Sequence, residues 1–74
     1  MLPHTTQALC RAILTDLRVG QSTADSIAGR LGVNTETVER ICKFLLEDAH
    51  VETHLIANRL TVYRATALGL QTLY

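Results

Sequence analysis

The sequence contains no apolar run approaching the length of a membrane-spanning helix, which needs about 20 consecutive residues. It also lacks a basic start followed by an apolar stretch and small residues, the pattern of a secretory signal peptide. Both absences favour a cytoplasmic protein that does not enter a membrane. Hydrophobic residues nevertheless make up 47% of the 74 residues. Because so short a chain buries only part of its surface, this surplus predicts contact with a partner or a second copy.

Groups that could catalyse a reaction or bind a metal are scarce. The two cysteines, Cys10 and Cys42, fall in apolar stripes, and we interpret them as reduced core thiols. The three histidines, His4, His50 and His54, do not have the spacing of metal ligands. The sequence has no glycine-rich phosphate loop, and no serine lies near a histidine at a strand-to-helix elbow. It therefore predicts a protein that is not an enzyme and holds no metal or cofactor.

A surplus of positive charge is also lacking. Seven Lys and Arg residues balance seven Asp and Glu residues, whereas a DNA-binding module usually carries excess bases that neutralise phosphates. Residues 34–52 hold five acids and only two bases, Arg40 and Lys43. After residue 52, Arg59 and Arg64 stand without an acid. Non-specific affinity for a duplex is therefore expected to be poor.

Residues 23–52 carry the clearest structural pattern. A short helix over 24–31, capped by Thr23, is followed by a turn at Gly32 and a longer helix over 35–48. Asn34 stands where an N-cap belongs, so its side chain is expected to accept a hydrogen bond from the first turn. Gly29 weakens the short helix, which favours a close crossing by another helix. The longer helix has a core-facing stripe of apolar residues three or four positions apart, namely Val38, Ile41, Cys42, Leu45 and Ala49.

Two further helices are predicted at the ends of the chain. The first begins after Thr5 or Thr6, runs to about Val19 and ends at Gly20 in the left-handed conformation. The last covers 67–73 and is capped by Thr66. Its leucines Leu68 and Leu73 are expected to pack on the first helix, which leaves Leu70 and Tyr74 for a dimer surface.

A β-hairpin is predicted over 51–65, with its turn at Ala57 and Asn58. A two-residue loop would pair Leu55 with Leu60 and leave Tyr63 on the outer face. One extra loop residue would move every side chain of the second strand to the opposite face. Alanine is poorly suited to a tight primed turn, so both registers are open at this stage.

The run IAGRLGVNTETVERICKFLLEDAHVE, followed by YRATALGLQTL, resembles the winged helix-turn-helix superfamily of bacterial and archaeal transcription regulators. The resemblance covers about residues 8–74 and implies a single mainly α domain with a three-helix core, a two-stranded wing and a C-terminal helix. It would turn Tyr63 inward and add a short third strand at Gln21 and Ser22. The glycine usual after the longer helix is replaced by Ala49, which predicts that the helix runs one residue longer. The same pattern resembles N-terminal dimerisation domains of some methyltransferases, which do not bind DNA.

Two functions follow from these observations. The first is a small, dimeric DNA-binding regulator that uses 35–48 as recognition helix and 51–65 as wing. Intrahelical pairs between Glu36 and Arg40 and between Glu39 and Lys43 would weaken this reading, since they would partly neutralise the bases. The candidate contacts to double-stranded DNA are Ser22, Thr23, Asn34, Thr35, Thr37, Arg40, Lys43 and Arg59.

The second function is a protein-interaction or dimerisation module that does not bind DNA. On the helical period, Phe44 falls away from the core, where regulators commonly have a polar residue. A homodimer or a partner protein would then bind through exposed apolar residues, for which Ile41, Phe44, Ile56 and Leu70 are the candidates. Zero net charge favours this function, and the helix-turn-helix pattern favours the first.

Overall fold

A computed structural model describes residues 5–74 as four helices and one antiparallel hairpin. This confirms the predicted architecture. No helix within the described residues is long and apolar enough to cross a membrane. In chain order the elements are α1 (Thr6–Leu17), α2 (Ala24–Leu31), α3 (Thr35–Glu47), β1 (Val51–Ile56), β2 (Leu60–Ala65) and α4 (Ala67–Gln71).

The core lies where α1, α2 and α3 meet. Helix α3 buries Val38, Ile41, Cys42 and Leu45, which are all of its predicted stripe except Ala49. Because these residues recur every three or four positions, one face of α3 is apolar and the opposite face is free. The other helices and the first strand complete the core with Leu9, Ile13, Leu14, Leu17, Ala24, Ile27, Ala28 and Val51.

Two predictions about helices α1 and α2 are wrong. Helix α1 ends at Leu17, with Arg18 as its cap, and Gly20 has a φ of 159°, far from the left-handed helical region. Gly29 is exposed, and no atom of another element lies within 4 Å of the position where its Cβ would be. No helix therefore crosses closely at Gly29.

The turn between α2 and α3 follows the prediction in part. Thr23 caps α2 by accepting a hydrogen bond from the Ser26 amide, at 3.1 Å. Gly32 adopts the left-handed conformation, with a φ of 70°, which a residue without Cβ accepts at little cost. Asn34 occupies the N-cap position of α3, but its side chain accepts no capping hydrogen bond, so the predicted cap is wrong.

The end of α3 also departs from the prediction. Instead of extending the helix, Ala49 adopts a φ of 59° in the left-handed region. The Ala49 amide donates to the Leu46 carbonyl at 3.0 Å, and the His50 amide donates to the Leu45 carbonyl at 2.8 Å. These two bonds form a Schellman motif, which satisfies carbonyls that would otherwise lack partners.

The hairpin adopts the register that has one extra loop residue. Ile56 pairs with Leu60, and Thr53 pairs with Tyr63, so the two-residue loop is wrong. Ala57 and Asn58 both have positive φ, and the Arg59 amide donates to the Ile56 carbonyl at 3.1 Å. This geometry is typical of a type I′ turn, with Arg59 as the additional residue before β2.

Tyr63 turns inward as the resemblance implied, and it packs against the core. Its amide donates to the Ser22 carbonyl at 2.7 Å, while the Ser22 amide donates to the Tyr63 carbonyl at 3.0 Å. Ser22 is therefore a one-residue third strand beside β2. This pairing joins the segment between α1 and α2 to the hairpin.

Helix α4 is shorter than predicted and is capped by Thr66, whose Oγ1 accepts from the Gly69 amide at 3.0 Å. Leu73 packs against the core as expected, but Leu68 is exposed and does not. Gly69 lies against the His50 carbonyl so closely that a Cβ would collide with it. A glycine is therefore required where α4 packs against the segment between α3 and β1.

Candidate nucleic-acid interface

The start of α2, the start of α3 and the hairpin enclose a cleft of about 170 Å³. Two of the predicted DNA contacts, Thr23 and Thr35, lie in its wall. The cleft is lined by Thr23, Ala24, Asp25, Thr35, Glu39, Leu60, Thr61 and Tyr63. The fold thus brings the start of the predicted recognition helix beside the second strand of the hairpin.

The hydroxyl hydrogens of Thr23 and Thr35 are already engaged. Thr23 Oγ1 donates to Ser26 Oγ at 3.1 Å, and Thr35 Oγ1 donates to an Asp25 carboxylate oxygen at 2.8 Å. A threonine hydroxyl has a single hydrogen to donate. In this arrangement the hydroxyl of Thr35, a predicted DNA contact, can only accept a hydrogen bond from a ligand.

The remaining predicted residues of α3 differ in exposure. Asn34, Arg40 and Lys43 are exposed, whereas Thr37 is half-buried. Neither Arg40 nor Lys43 has a carboxylate within 4 Å among the described residues, so the expected intrahelical pairs are not formed. The cationic ends of both side chains remain available to a ligand.

Most other cations have partners within the chain. Arg30 and Arg64 are in ion pairs with Asp16 and Glu52, at 2.7 and 3.1 Å. Arg11 donates to the carbonyls of Thr72 and Leu73 at 3.3 and 3.4 Å, and Arg18 lies 5.9 Å from the centre of the Tyr74 ring.

Arg59, on the hairpin loop, is exposed like Arg40 and Lys43. Within residues 5–74, the side chains of these three residues make no ion pair, hydrogen bond or ring contact. Cations with no internal partner are therefore confined to α3 and the loop of the hairpin.

Ser22, another predicted contact, belongs to a polar cluster that the sequence analysis missed. The Arg30 guanidinium donates to Ser22 Oγ at 2.6 Å and to both carboxylate oxygens of Asp16 at 2.7 Å. The hydrogen bond to Asp16 raises the pKa of Arg30 above its ordinary value. Asp16 and Arg30 are 14 positions apart on different helices, so no local pattern in the sequence indicates their contact.

Two carboxylates in the cleft, those of Asp25 and Glu39, were also not recognised as part of the candidate site. Both face the space between α3 and the hairpin, and no cation is among the residues that line it. A phosphate in this cleft would be repelled, whereas the Arg40 and Lys43 side of α3 would attract it. The candidate interface is therefore divided into an acidic cleft and a cationic face of the same helix.

Comparison with solved structures identifies the architecture. A variant of Lactococcus lactis ZitR in its apo form aligns over 92% of this chain, with a TM-score of 0.83 and 23% identity. A ZitR variant in complex with DNA aligns over 99% of the chain, with a TM-score of 0.82 and 20% identity. The transcriptional regulator BldR from Sulfolobus solfataricus aligns over 88%, with a TM-score of 0.82 and 19% identity.

The chain has the winged helix-turn-helix fold. It spans about half the length of these structures, since the alignments cover 53%, 50% and 48% of the ZitR variant, the DNA complex and BldR respectively. No protein-family model and no curated protein matches the sequence. Within this fold, α3 is the second helix of the helix-turn-helix and β1 with β2 forms the wing.

The apolar candidates for a partner surface are dispersed over the winged helix. Ile41 is fully buried and cannot contact a partner, which corrects the prediction. Phe44 is 45% exposed and lies beside α1, while Ile56 is 44% exposed at the tip of the wing. Leu70 is only half-buried in α4. A groove of about 240 Å³ beside Phe44 is lined by Gln7, Cys10, Arg11, Leu14, Phe44, Leu45, Asp48, His50 and Thr72.

The cysteines of the winged helix are free thiols. Burial, with smaller effects from Cys10 and Glu39, raises the pKa of Cys42 to about 12, and burial followed by Asp48 raises the pKa of Cys10. A thiol with a raised pKa is a poor nucleophile and a poor metal ligand at neutral pH. Among residues 5–74, no three His, Cys, Asp or Glu side chains are grouped so that they could hold a metal ion.

Proposed function

We propose that this chain is the DNA-binding module of a transcription regulator and that it is not an enzyme. Helix α3 would enter the major groove and the wing would follow the adjacent backbone. The observation that carries the proposal is the position of the unpartnered cations, Arg40, Lys43 and Arg59, on the recognition helix and the wing loop.

Each predicted contact has a specific role in this proposal. Arg40 and Lys43 contact base edges or phosphates from the exposed face of α3, and Arg59 contacts the backbone from the wing. Ser22 and Thr23, at the start of α2, are proposed as phosphate contacts, although the carboxylates of Asp25 and Glu39 beside Thr23 oppose them. Thr35 and Asn34 serve as acceptors or short polar contacts, and half-buried Thr37 contributes at the edge.

The comparisons support a regulator at the level of the fold. One of the similar structures is a ZitR variant in complex with DNA, and it aligns over nearly the whole of this chain. A fold supports several functions, so the proposal depends on the cations and is tested through them.

The test is a titration of a mixed-sequence DNA duplex at low ionic strength with the wild-type chain and an Arg40→Ala, Lys43→Ala double variant. We expect the double variant to bind at least about tenfold more weakly, since each cation neutralises a phosphate or contacts a base. Circular dichroism should show an unchanged fold, because both side chains are exposed.

A double variant with Arg11→Ala and Arg18→Ala serves as the control for net charge. Both arginines lie on or at the end of α1 and have partners within the chain. Equal loss of binding in the two double variants would overturn the assignment of α3 as the contact surface. No binding by the wild-type chain at low salt would overturn the function.

The alternative function is a dimerisation or protein-interaction module that does not bind DNA. Two observations favour it: the acidic cleft beside α3 and the exposure of Phe44 and Ile56. Sedimentation of the wild-type chain, a Phe44→Ser variant and an Ile56→Ser variant tests it. Self-association that one substitution abolishes, together with no duplex binding, would support the alternative, and a monomer at all concentrations would exclude the homodimer.

A further inference from the structure

The polar cluster of Asp16, Arg30 and Ser22 connects three parts of the winged helix. Asp16 is on α1, Arg30 is on α2, and Ser22 lies between these helices and pairs with the wing through Tyr63. We propose that this chain of contacts fixes the position of the wing relative to the recognition helix, with Arg30 as its positioning residue. The effect on DNA binding rests on the proposed function, whereas the effect on the wing does not.

The contacts of Arg30 hold its guanidinium in one position. Its Nε and Nη2 donate to the two carboxylate oxygens of Asp16, both at 2.7 Å, which is the bidentate arrangement that holds a guanidinium in one orientation. The Asp16 side chain is only 13% exposed, so its carboxylate is largely removed from water and depends on this partner. The same Nη2 donates to Ser22 Oγ at 2.6 Å.

Ser22 transmits this constraint to β2. Its backbone exchanges two hydrogen bonds with Tyr63, at 3.0 and 2.7 Å, and Tyr63 is half-buried against the core. Between this point and the wing loop only Val62 is buried, and residues 53–61 are all exposed, so the rest of the wing has little support from the helices. The Ser22 to Tyr63 pairing is thus a principal attachment of the wing near its base.

A small tilt of the wing at this attachment produces a larger displacement of the wing loop. Arg59 is four residues from Tyr63, which corresponds to about 13 Å along a strand, so a tilt of about 10° at the base moves the loop by about 2 Å. A displacement of that size removes a hydrogen bond or ion pair to a phosphate, because such contacts require heavy-atom distances near 3 Å. Arg30 therefore determines whether Arg59 can reach a phosphate, although Arg30 does not contact DNA itself.

Hydrogen exchange tests the positioning directly. The amides of Ser22 and Tyr63 are the donors in the pairing, so they report whether it opens. We expect Arg30→Gln to lower their protection at least about tenfold, with a smaller change at the amides of Ile41 and Cys42, which report global unfolding. Ser22→Ala, which leaves the ion pair intact, should lower the protection of the Tyr63 amide to a lesser extent.

Arg11→Gln is the matched control, since it removes the same charge from a helix arginine that donates to Thr72 and Leu73 instead. Its Ser22 and Tyr63 amides should keep wild-type protection. If Arg30→Gln lowers the protection of all amides in proportion, which is the pattern of a general loss of stability, the positioning role is overturned. Unchanged protection at Ser22 and Tyr63 would overturn it as well.

A double-mutant cycle tests the consequence for DNA. In the wild-type background we expect Arg59→Ala to weaken duplex binding about fivefold, and in the Arg30→Gln background less than about twofold, because the wing loop is already displaced. Equal effects in both backgrounds would overturn the link between Arg30 and Arg59. Absence of duplex binding in the wild-type chain would overturn the proposed function and this link together, while the exchange experiment would still decide whether Arg30 positions the wing.

Discussion

At the scale of single residues, Cys42 shows how burial decides the chemistry of a side chain. It is 0% exposed, and its pKa is raised to about 12 from an ordinary value of 9.0. The thiol is therefore neutral in the folded chain at pH values where it ionises in the unfolded chain. The contribution of the neutral, buried thiol to the free energy of unfolding is fully present below about pH 9 and is lost as the pH rises towards 12.

We predict that Cys42→Ala reduces the alkaline loss of stability. One proton contributes at most about 1.4 kcal/mol per pH unit, so between pH 8 and pH 10.5 the wild-type chain should lose up to about 2 kcal/mol more than the variant. Urea unfolding at the two pH values measures this difference. Cys10 and Tyr63, whose pKa values burial also raises, supply the alkaline dependence that remains. Equal losses of stability in the wild-type chain and the Cys42→Ala variant would mean that the Cys42 thiol can ionise in the folded chain without destabilising it.

Two substitutions, one that removes a glycine and one that introduces a glycine, should both stabilise the fold. Gly29→Ala adds a methyl group in open space within a helix, which favours folding by about 1 kcal/mol. Ala49→Gly relieves the left-handed conformation, worth about 1 kcal/mol. The measurement is the free energy of unfolding in urea. Gly69→Ala is the contrasting variant, because its Cβ would collide with the His50 carbonyl and should destabilise the chain. A stabilising Gly69→Ala would contradict the packing of α4.

Sequence reasoning at the residue scale succeeded where a side chain acts on its own neighbourhood. The caps by Thr23 and Thr66 bond three residues ahead, and the turn at Gly32 depends on one missing Cβ. It failed at two residues that flank α3. Asn34 makes no cap, and Ala49 is held left-handed by the Schellman bonds at the end of α3, although its own preference opposes that conformation.

At the scale of elements, all four helices and the hairpin were predictable, since each carries a clear apolar period or a cap. The register of the hairpin was not, because it depends on whether the loop has two residues or three. Ala57 accepts a positive φ in the observed turn, which a propensity argument disfavours. The inward position of Tyr63, which the resemblance implied, agrees with the observed register, but the residues of the hairpin alone left both registers open.

The acidic cleft between α3 and the wing leads to a prediction for these elements. Asp25→Asn together with Glu39→Gln removes two negative charges while keeping an acceptor for the Thr35 hydroxyl. If DNA docks on α3 and the wing, affinity for a mixed duplex should rise about tenfold, because two repulsive terms near the phosphates disappear. Fluorescence anisotropy with a labelled duplex measures the change.

The control for this prediction lies at the other end of α3. Glu47→Gln together with Asp48→Asn changes the net charge equally but leaves the cleft intact, since neither residue lines it. This variant should gain much less affinity. Equal gains would show that only the net charge matters, and no gain from the cleft variant would show that DNA does not approach it.

At the scale of the whole molecule, the net charge of zero does not show which cations are paired within the fold and which are free. A count over the sequence includes Arg30 and Arg64, but both are neutralised by carboxylates within the fold. The four-residue spacing of acids and bases on α3 also predicted that Arg40 and Lys43 would be paired along the helix, and they are not. Which cations remain available depends on contacts between distant segments, so it could not be read from composition or local spacing.

The number of unpaired cations predicts how steeply duplex binding depends on salt concentration. If Arg40, Lys43 and Arg59 are the cations that neutralise phosphates, the logarithm of the binding constant should fall against the logarithm of salt concentration with a slope of about −2.7, which is about −0.9 for each phosphate. Arg59→Ala should reduce the magnitude of the slope by about 0.9, whereas Arg64→Ala should leave it unchanged, because Glu52 already neutralises Arg64. A slope near about −4.5 would mean that Arg30 and Arg64 also exchange their carboxylates for phosphates on binding, so that the charges available to DNA are set by the complex and not by the free fold.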